Sequence, residues 1–271
     1  MTAINLRKAS AAATRGDALV IGIHSDGDSI VVADGAADVS RAFGRGFPST
    51  LKSLGVSPKA GDVTKIPSSG ATKCPVVVVA GLGPAGPIDL ESLRRAAGAA
   101  TRELAGAHTV VLALPAADPA QVRAVSEGAL LGAYAYDTYL TKKHEPVGEL
   151  VVLTGQARTK EARRAQVHAL AVAEAVNFAR DLINRPPNDL YPESFADSVK
   201  ARARRSKVSV AVTDEKALEA NGYGGIMGVG KGSIRPPRLV RLSYRPARAK
   251  GHLAFVGKGI TFDTVGLLSQ E

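Results

Sequence analysis

The chain has 271 residues, with 35 Lys and Arg against 25 Asp and Glu, a formal net charge of +10 and 45% apolar residues. That apolar share supports a folded core and excludes disorder throughout, and a single cysteine, Cys74, excludes a disulfide scaffold. No apolar run approaches the ~20 residues a bilayer requires, and 4% aromatic residues with no tryptophan weigh against a base-stacking surface.

The amino-terminal segment has Arg7 and Lys8 but no long apolar stretch, so no signal peptide is expected and the chain reads as cytoplasmic, with no membrane partner. Residues 18–23 predict a short buried strand. Residues 75–80 are β-branched and end at Gly81, which favours a second strand over a helix. Asp89 is placed to cap a helix running to about Leu104, with Leu90, Leu93, Ala97 and Ala100 at helical spacing. Residues 108–114 predict a strand stopped by Pro115, residues 119–140 a second helix, and residues 150–153 another strand. This alternation implies an α/β sheet covered by helices.

A long helix is expected over residues 160–183, ended by Asn184 and the Arg185-Pro186-Pro187 run, which marks a domain boundary. Beyond it the patterns predict helices at 193–205 and 215–220 and strands at 208–212, 238–244 and 252–256.

Two glycine-rich segments approach nucleotide-binding motifs. Gly81-Leu82-Gly83-Pro84-Ala85-Gly86 matches G-x-G-x-x-G, but Pro84 and Pro87 have no N–H to offer a pyrophosphate, and no acidic residue ends the next strand. Gly225-x4-Gly230-Lys231 is followed by Gly232 where a magnesium-binding Ser or Thr belongs. Both read as structural turns. His24, His108, His144, His168 and His252 form no zinc-type array. Lys200, Arg202, Arg204, Arg205 and Lys207 form a basic cluster that suits either a solvated helix face or a nucleic-acid contact.

The run Val256-Gly257-Lys258-Gly259-Ile260-Thr261-Phe262-Asp263 is different in kind. Its glycines allow the chain to turn so that Lys258 and Asp263 converge, and a nearby divalent cation would disfavour the ammonium form of the lysine. The same spacing also suits a surface ion pair at a strand end.

This run resembles the signature segment of the leucyl (cytosol) aminopeptidases of the M17 metallopeptidase family. Ser126-Glu127-Gly128-Ala129-Leu130-Leu131-Gly132-Ala133-Tyr134 is similar to a helix near the end of that family's first domain. Asn184-Arg185-Pro186-Pro187-Asn188 resembles its interdomain motif, and Gly228-Val229-Gly230-Lys231-Gly232-Ser233 with Arg235-Pro236-Pro237-Arg238-Leu239-Val240 the stretch before its metal-binding strand. The resemblance implies an α/β fold: an N-terminal α/β domain with a central mixed sheet (1–158), a linking helix (159–184) and the first part of a C-terminal α/β catalytic domain (185–271). It implies a two-metal exopeptidase that removes N-terminal residues, often leucine, from peptides with paired manganese or zinc ions that activate a water, assembled as a hexamer. It makes Lys258 and Asp263 metal ligands.

The sequence also departs from the family pattern. Val265 stands where a glycine is expected and Gln270 where the family has a catalytic lysine. The family's other ligands fall after Glu271. The resemblance therefore implies a member truncated within its catalytic domain, inactive alone and not holding two metals by itself. A non-catalytic nucleic-acid-binding module and a functionless remnant are the competing readings.

Overall fold

Nine strands and eight helices follow one another along the described part of the chain, residues 2–204 and 206–261 of a computed structural model. In order they are β1 (Ala3–Arg7), β2 (Ala18–Asp26), β3 (Ser29–Val32), α1 (Ala37–Phe43), α2 (Phe47–Ser53), β4 (Val63–Pro67), β5 (Val76–Pro84), α3 (Leu90–Glu103), β6 (Thr109–Ala113), α4 (Pro119–Gly132), β7 (Glu149–Leu153), α5 (Lys160–Ile183), α6 (Pro192–Ala203), β8 (Val208–Thr213), α7 (Glu215–Ala220), α8 (Gly224–Gly230) and β9 (Leu239–Tyr244). They divide into two units, Met1–Ala179 and Arg180–Glu271.

The first unit is built on a mixed sheet of order β1-β7-β6-β2-β5-β4. The pairs β1–β7, β7–β6, β6–β2 and β2–β5 are parallel, and β4 closes one edge antiparallel to β5. β6 pairs with Ala18–Ile21 of β2, and β3 folds back antiparallel on Ile23–Asp26, so β3 continues the same edge of β2 beyond the end of β6.

The parallel strands are apolar at nearly every position because both faces are covered. Val20, Val78, Leu112 and Leu150 point into one core layer, which α3 and α4 cover with Leu93, Ala97, Val122 and Val125. Their chain neighbours Leu19, Val77, Val111 and Val151 point the other way, into a layer covered by Val39 of α1 and Phe47 and Leu51 of α2.

Asp89 caps α3 as expected, accepting from the Glu91 and Ser92 amides at 3.3 and 2.9 Å. Asp118 does the same for α4 through the Gln121 amide. α4 ends at Gly132, eight residues before the expected end at 140. The residues after it, Tyr134-Ala135-Tyr136-Asp137-Thr138, are mostly weak helix formers, and Tyr136 instead meets Tyr139 edge-on with ring centroids 6.1 Å apart.

In the second unit, β8 and β9 form an antiparallel pair, and α6 packs on β8. The unit buries only Leu190, Ala196, Ala203 and Leu218 among its described residues. The strand expected at 252–256 is absent: these residues are irregular and exposed. A strand needs a ladder partner, and among the described residues β9 pairs only with β8.

Candidate functional site

The two nucleotide-like loops are consumed by the fold. Gly81 and Gly83 lie inside β5, and their amides donate to the carbonyls of Asp62 and Pro58, while the Ala85 amide donates to Ser25. A Cβ at Gly81 would fall 2.1 Å from the Lys59 carbonyl oxygen, so the glycine admits a backbone crossing rather than a phosphate. Gly225 and Gly230 lie on the short helix α8, where a Cβ at Gly230 would meet the Pro237 ring at 2.6 Å. Lys231 pairs with Glu219 at 3.6 Å.

The helix carrying Ser126 to Gly132 packs backbone to backbone on α3. A Cβ at Gly128 would sit 2.1 Å from the Arg94 carbonyl oxygen, and one at Gly132 2.2 Å from that of Gly98. Beside this contact the Glu127 side chain, only 5% exposed, receives Arg123 Nε at 2.6 Å and Arg94 Nε at 3.1 Å, with His168 Nδ1 at 3.7 Å. Burial alone would raise the Glu127 pKa, but the hydrogen bonds and charges of Arg123 and Arg94 outweigh it and hold the carboxyl below its ordinary range. The group is an ion-pair clasp between helices.

Cys74 is buried, with its thiol 3.4 Å from the Thr14 carbonyl oxygen. Burial first, and the Asp17 charge second, push its pKa up to about 11, so it is no nucleophile at neutral pH.

In the second unit, Arg238 is held by Glu215, by Glu193 at 3.9 Å and by the Pro237 carbonyl at 3.0 Å. Arg235 lies over the Tyr191 ring, 3.9 Å from its centroid. These contacts fix the Arg-Pro-Pro-Arg stretch ahead of β9. Of the basic cluster, Lys200 pairs with Asp197 at 3.4 Å, while Lys200 and Arg202 occupy the last turn of α6, where cations complement the helix dipole. Arg205 lies outside the described residues.

Lys258 is exposed on the irregular segment after β9. A Cβ at Gly259, the next residue, would stand 3.9 Å from the ring edge of Phe195 on α6. Asp263, Val265 and Gln270 lie outside the described residues, so Lys258 is the one member of the expected site that can be placed. Among the described residues, no group of three or more His, Cys, Asp or Glu converges to hold a metal ion. Of the expected metal ligands only Lys258 is among the described residues, so no reaction step follows from the described geometry. No described helix is long and apolar enough to cross a membrane.

Sequence reasoning missed the clasp of Glu127, Arg94, Arg123 and His168. Its signal was the Arg123 and Glu127 pair at i, i+4 on a helix rich in Ala, Val, Gly and Leu, a carboxylate on a face that the fold buries.

The family model described as "Cytosol aminopeptidase family, N-terminal domain" matches residues 20–143, and that described as "Cytosol aminopeptidase family, catalytic domain" matches residues 177–269. Proteins named probable cytosol aminopeptidase are similar to this chain. The one from Streptomyces avermitilis is 48% identical, covering 98% of this chain and 55% of its own length. The one from Streptomyces coelicolor is 46% identical, covering 98% and 56%. The chain thus spans about half the length of the curated relatives it matches. Among solved structures, the bottromycin maturation enzyme BotP in complex with Mn is 33% identical with a TM-score of 0.65, over 85% of this chain and 46% of that one. A mutant of tomato leucine aminopeptidase, 20% identical, shares the fold with a TM-score of 0.81 over 98% of this chain and 56% of its own.

Proposed function

This chain belongs to the cytosol aminopeptidase (M17) family, and from that premise we propose that it contributes to the removal of N-terminal residues, leucine among them, from peptides. The observation that carries the reading is the agreement of both family models with the chain in the family's order, first domain then catalytic domain. The segment Gly257-Lys258-Gly259-Ile260-Thr261-Phe262-Asp263 supports the finer assignment. In it, Lys258 and Asp263 are ligands of paired divalent ions, manganese or zinc, the first being the ion bound in the BotP structure. Lysine nitrogen and carboxylate oxygen are donors suited to such ions. By the same resemblance the domains run 1–158, 159–184 and 185–271, and the assembly is a homohexamer.

A polypeptide of residues 1–271 alone does not turn over in this reading. Two ligands from one segment do not retain two metal ions against water, and Gln270 brings no cation where the family pattern has lysine.

The test is a fused chain: residues 1–271 carrying Gln270→Lys, joined to the part of the Streptomyces avermitilis relative that this chain does not match. Chelator-sensitive release of leucine from a chromogenic amide is expected with added manganese. Reverting to Gln270 lowers it by roughly 100-fold or more, the usual cost of one lost stabiliser of developing charge. Lys258→Ala lowers it at least as much, since even groups behind a metal ligand cost roughly 10–100-fold. Turnover indifferent to Lys258→Ala, or none from the fused chain, contradicts the assignment.

A further inference from the structure

At the carboxyl ends of β2 and β5 the first unit encloses a cavity of about 280 Å³. After β2 the next parallel strand is β5, on one side of it, and the one after that, β6, pairs on the other side. The carboxyl ends of strands at such a reversal are where parallel sheets receive ligands. The sheet is also irregular at this point. Ile23 faces Gly81 but Ser25 faces Pro84, so Leu82 and Gly83 together oppose His24. Gly83 takes a left-handed φ of 86° in this bulge, and bulges re-aim the side chains beside them. Alternation from Val20, whose core layer α3 covers, puts His24 on the α3 side of the sheet. There His24 lines the cavity with Leu82, Ile88, Asp89, Ser92 and Leu93.

His24 is half-buried, and its Nδ1 is buried with no hydrogen-bond partner among the described residues. An unmet buried nitrogen is destabilising and calls for a partner, and an apolar cavity with one such atom has the form of a small-molecule site. The lining selects the ligand. Leu82 and Leu93 are buried and Ile88 is half-buried, so the walls are aliphatic. Asp89 brings a carboxylate to the lining, and no lysine or arginine stands among the lining residues. The first amides of α3 are already used: those of Glu91 and Ser92 donate to the Asp89 carboxylate and that of Leu93 to the Asp89 carbonyl. An anion would meet a negative charge there, whereas a cation is favoured. An imidazole nitrogen without its proton accepts from an N–H.

We propose that this cavity binds a small aliphatic ammonium. Its apolar body lies against Leu82, Ile88 and Leu93, its N–H donates to His24 Nδ1, and Asp89 balances its charge. The site lies wholly within the first unit, and the inference does not depend on the aminopeptidase reading.

The experiment titrates residues 1–271 at neutral pH with isoamylammonium, isoamyl alcohol and isovalerate, which share one branched body and differ in charge. Calorimetry is expected to find saturable one-to-one binding of the ammonium in the millimolar range or tighter. The alcohol should bind about tenfold or more weakly, the scale of a hydrogen bond to a charged group, and isovalerate not at all. The His24 Cε1–H resonance should shift with the ammonium along the same saturation curve. His24→Phe keeps a ring but no nitrogen and should weaken binding about tenfold or more. Asp89→Asn removes the charge while keeping a good helix cap, so it should weaken binding with thermal unfolding unchanged; it decides the matter if His24→Phe fails to fold. Absence of saturable ammonium binding overturns the proposal. So does isovalerate or the alcohol binding as tightly, a His24 resonance that stays still, or binding indifferent to Asp89→Asn.

Discussion

Glu127 concentrates the electrostatics of the first unit. Its carboxyl is almost wholly buried and tied to Arg123 and Arg94, so its folded pKa lies below the ordinary 4.5. A group depressed in the folded state adds stability above its unfolded value, and that stability is lost as pH falls through the folded one. Urea unfolding at pH 7 should therefore find Glu127→Gln about 1–3 kcal/mol less stable than the parent, the range for a buried charged hydrogen-bonding group. The gap should close as pH drops below about 4.5; a gap unchanged between pH 7 and pH 3 would contradict the clasp. Cys74 gives a second check at this scale. With its thiol held near 11, alkylation by iodoacetamide at pH 8 should run far slower in the folded chain than in urea, because only about 0.1% is thiolate. Equal rates would mean that the site is open.

At the scale of elements, the contact of α3 with α4 is set by glycine. Gly128 and Gly132 bring the backbones so close that a single Cβ would strike a carbonyl oxygen, and carbonyls fixed in a helix cannot yield cheaply. Gly128→Ala and Gly132→Ala should each cost about 1–3 kcal/mol or more. Gly155→Ala, at a site with no atom within 4 Å of its Cβ and no left-handed backbone, should lie within about 0.5 kcal/mol of the parent. Equal effects at Gly132 and Gly155 in thermal unfolding would refute the close approach. The strongly patterned elements were legible in the sequence. α5 runs where its apolar face and the proline stop placed it, α7 spans the expected residues 215–220, and β5 begins at the expected apolar run. β1, β3, β4, α1 and α2 were not foreseen, because short edge strands and one- to two-turn helices take their form from the partner they pack on rather than from their own pattern. α8 was missed for another reason: Gly224, Gly225, Gly228 and Gly230 argue against a helix by propensity. The expected strand at 252–256 has the right residues but lacks a neighbour, which a local pattern does not reveal.

At the scale of the whole molecule the two units differ in kind. The first has two core layers around its sheet; the second has four buried hydrophobics among its described residues, while Ile234, Leu253, Phe255 and Val256 stand in solvent. Limited proteolysis should therefore cut first within residues 245–261 and leave a resistant product ending near Ala179, since susceptibility follows local opening. First cuts inside the β5–α3 region would contradict that division. In the sequence the candidate site rests on a resemblance at Lys258 and Asp263, and the described geometry places only an exposed Lys258, because Asp263 lies outside the described residues. Under the proposed function, residues 1–271 by themselves hold no working two-metal centre. The direct measurement is turnover of a chromogenic leucine amide by purified residues 1–271 with added manganese. No release above the protein-free blank is predicted, and robust release abolished by a chelator would contradict the account.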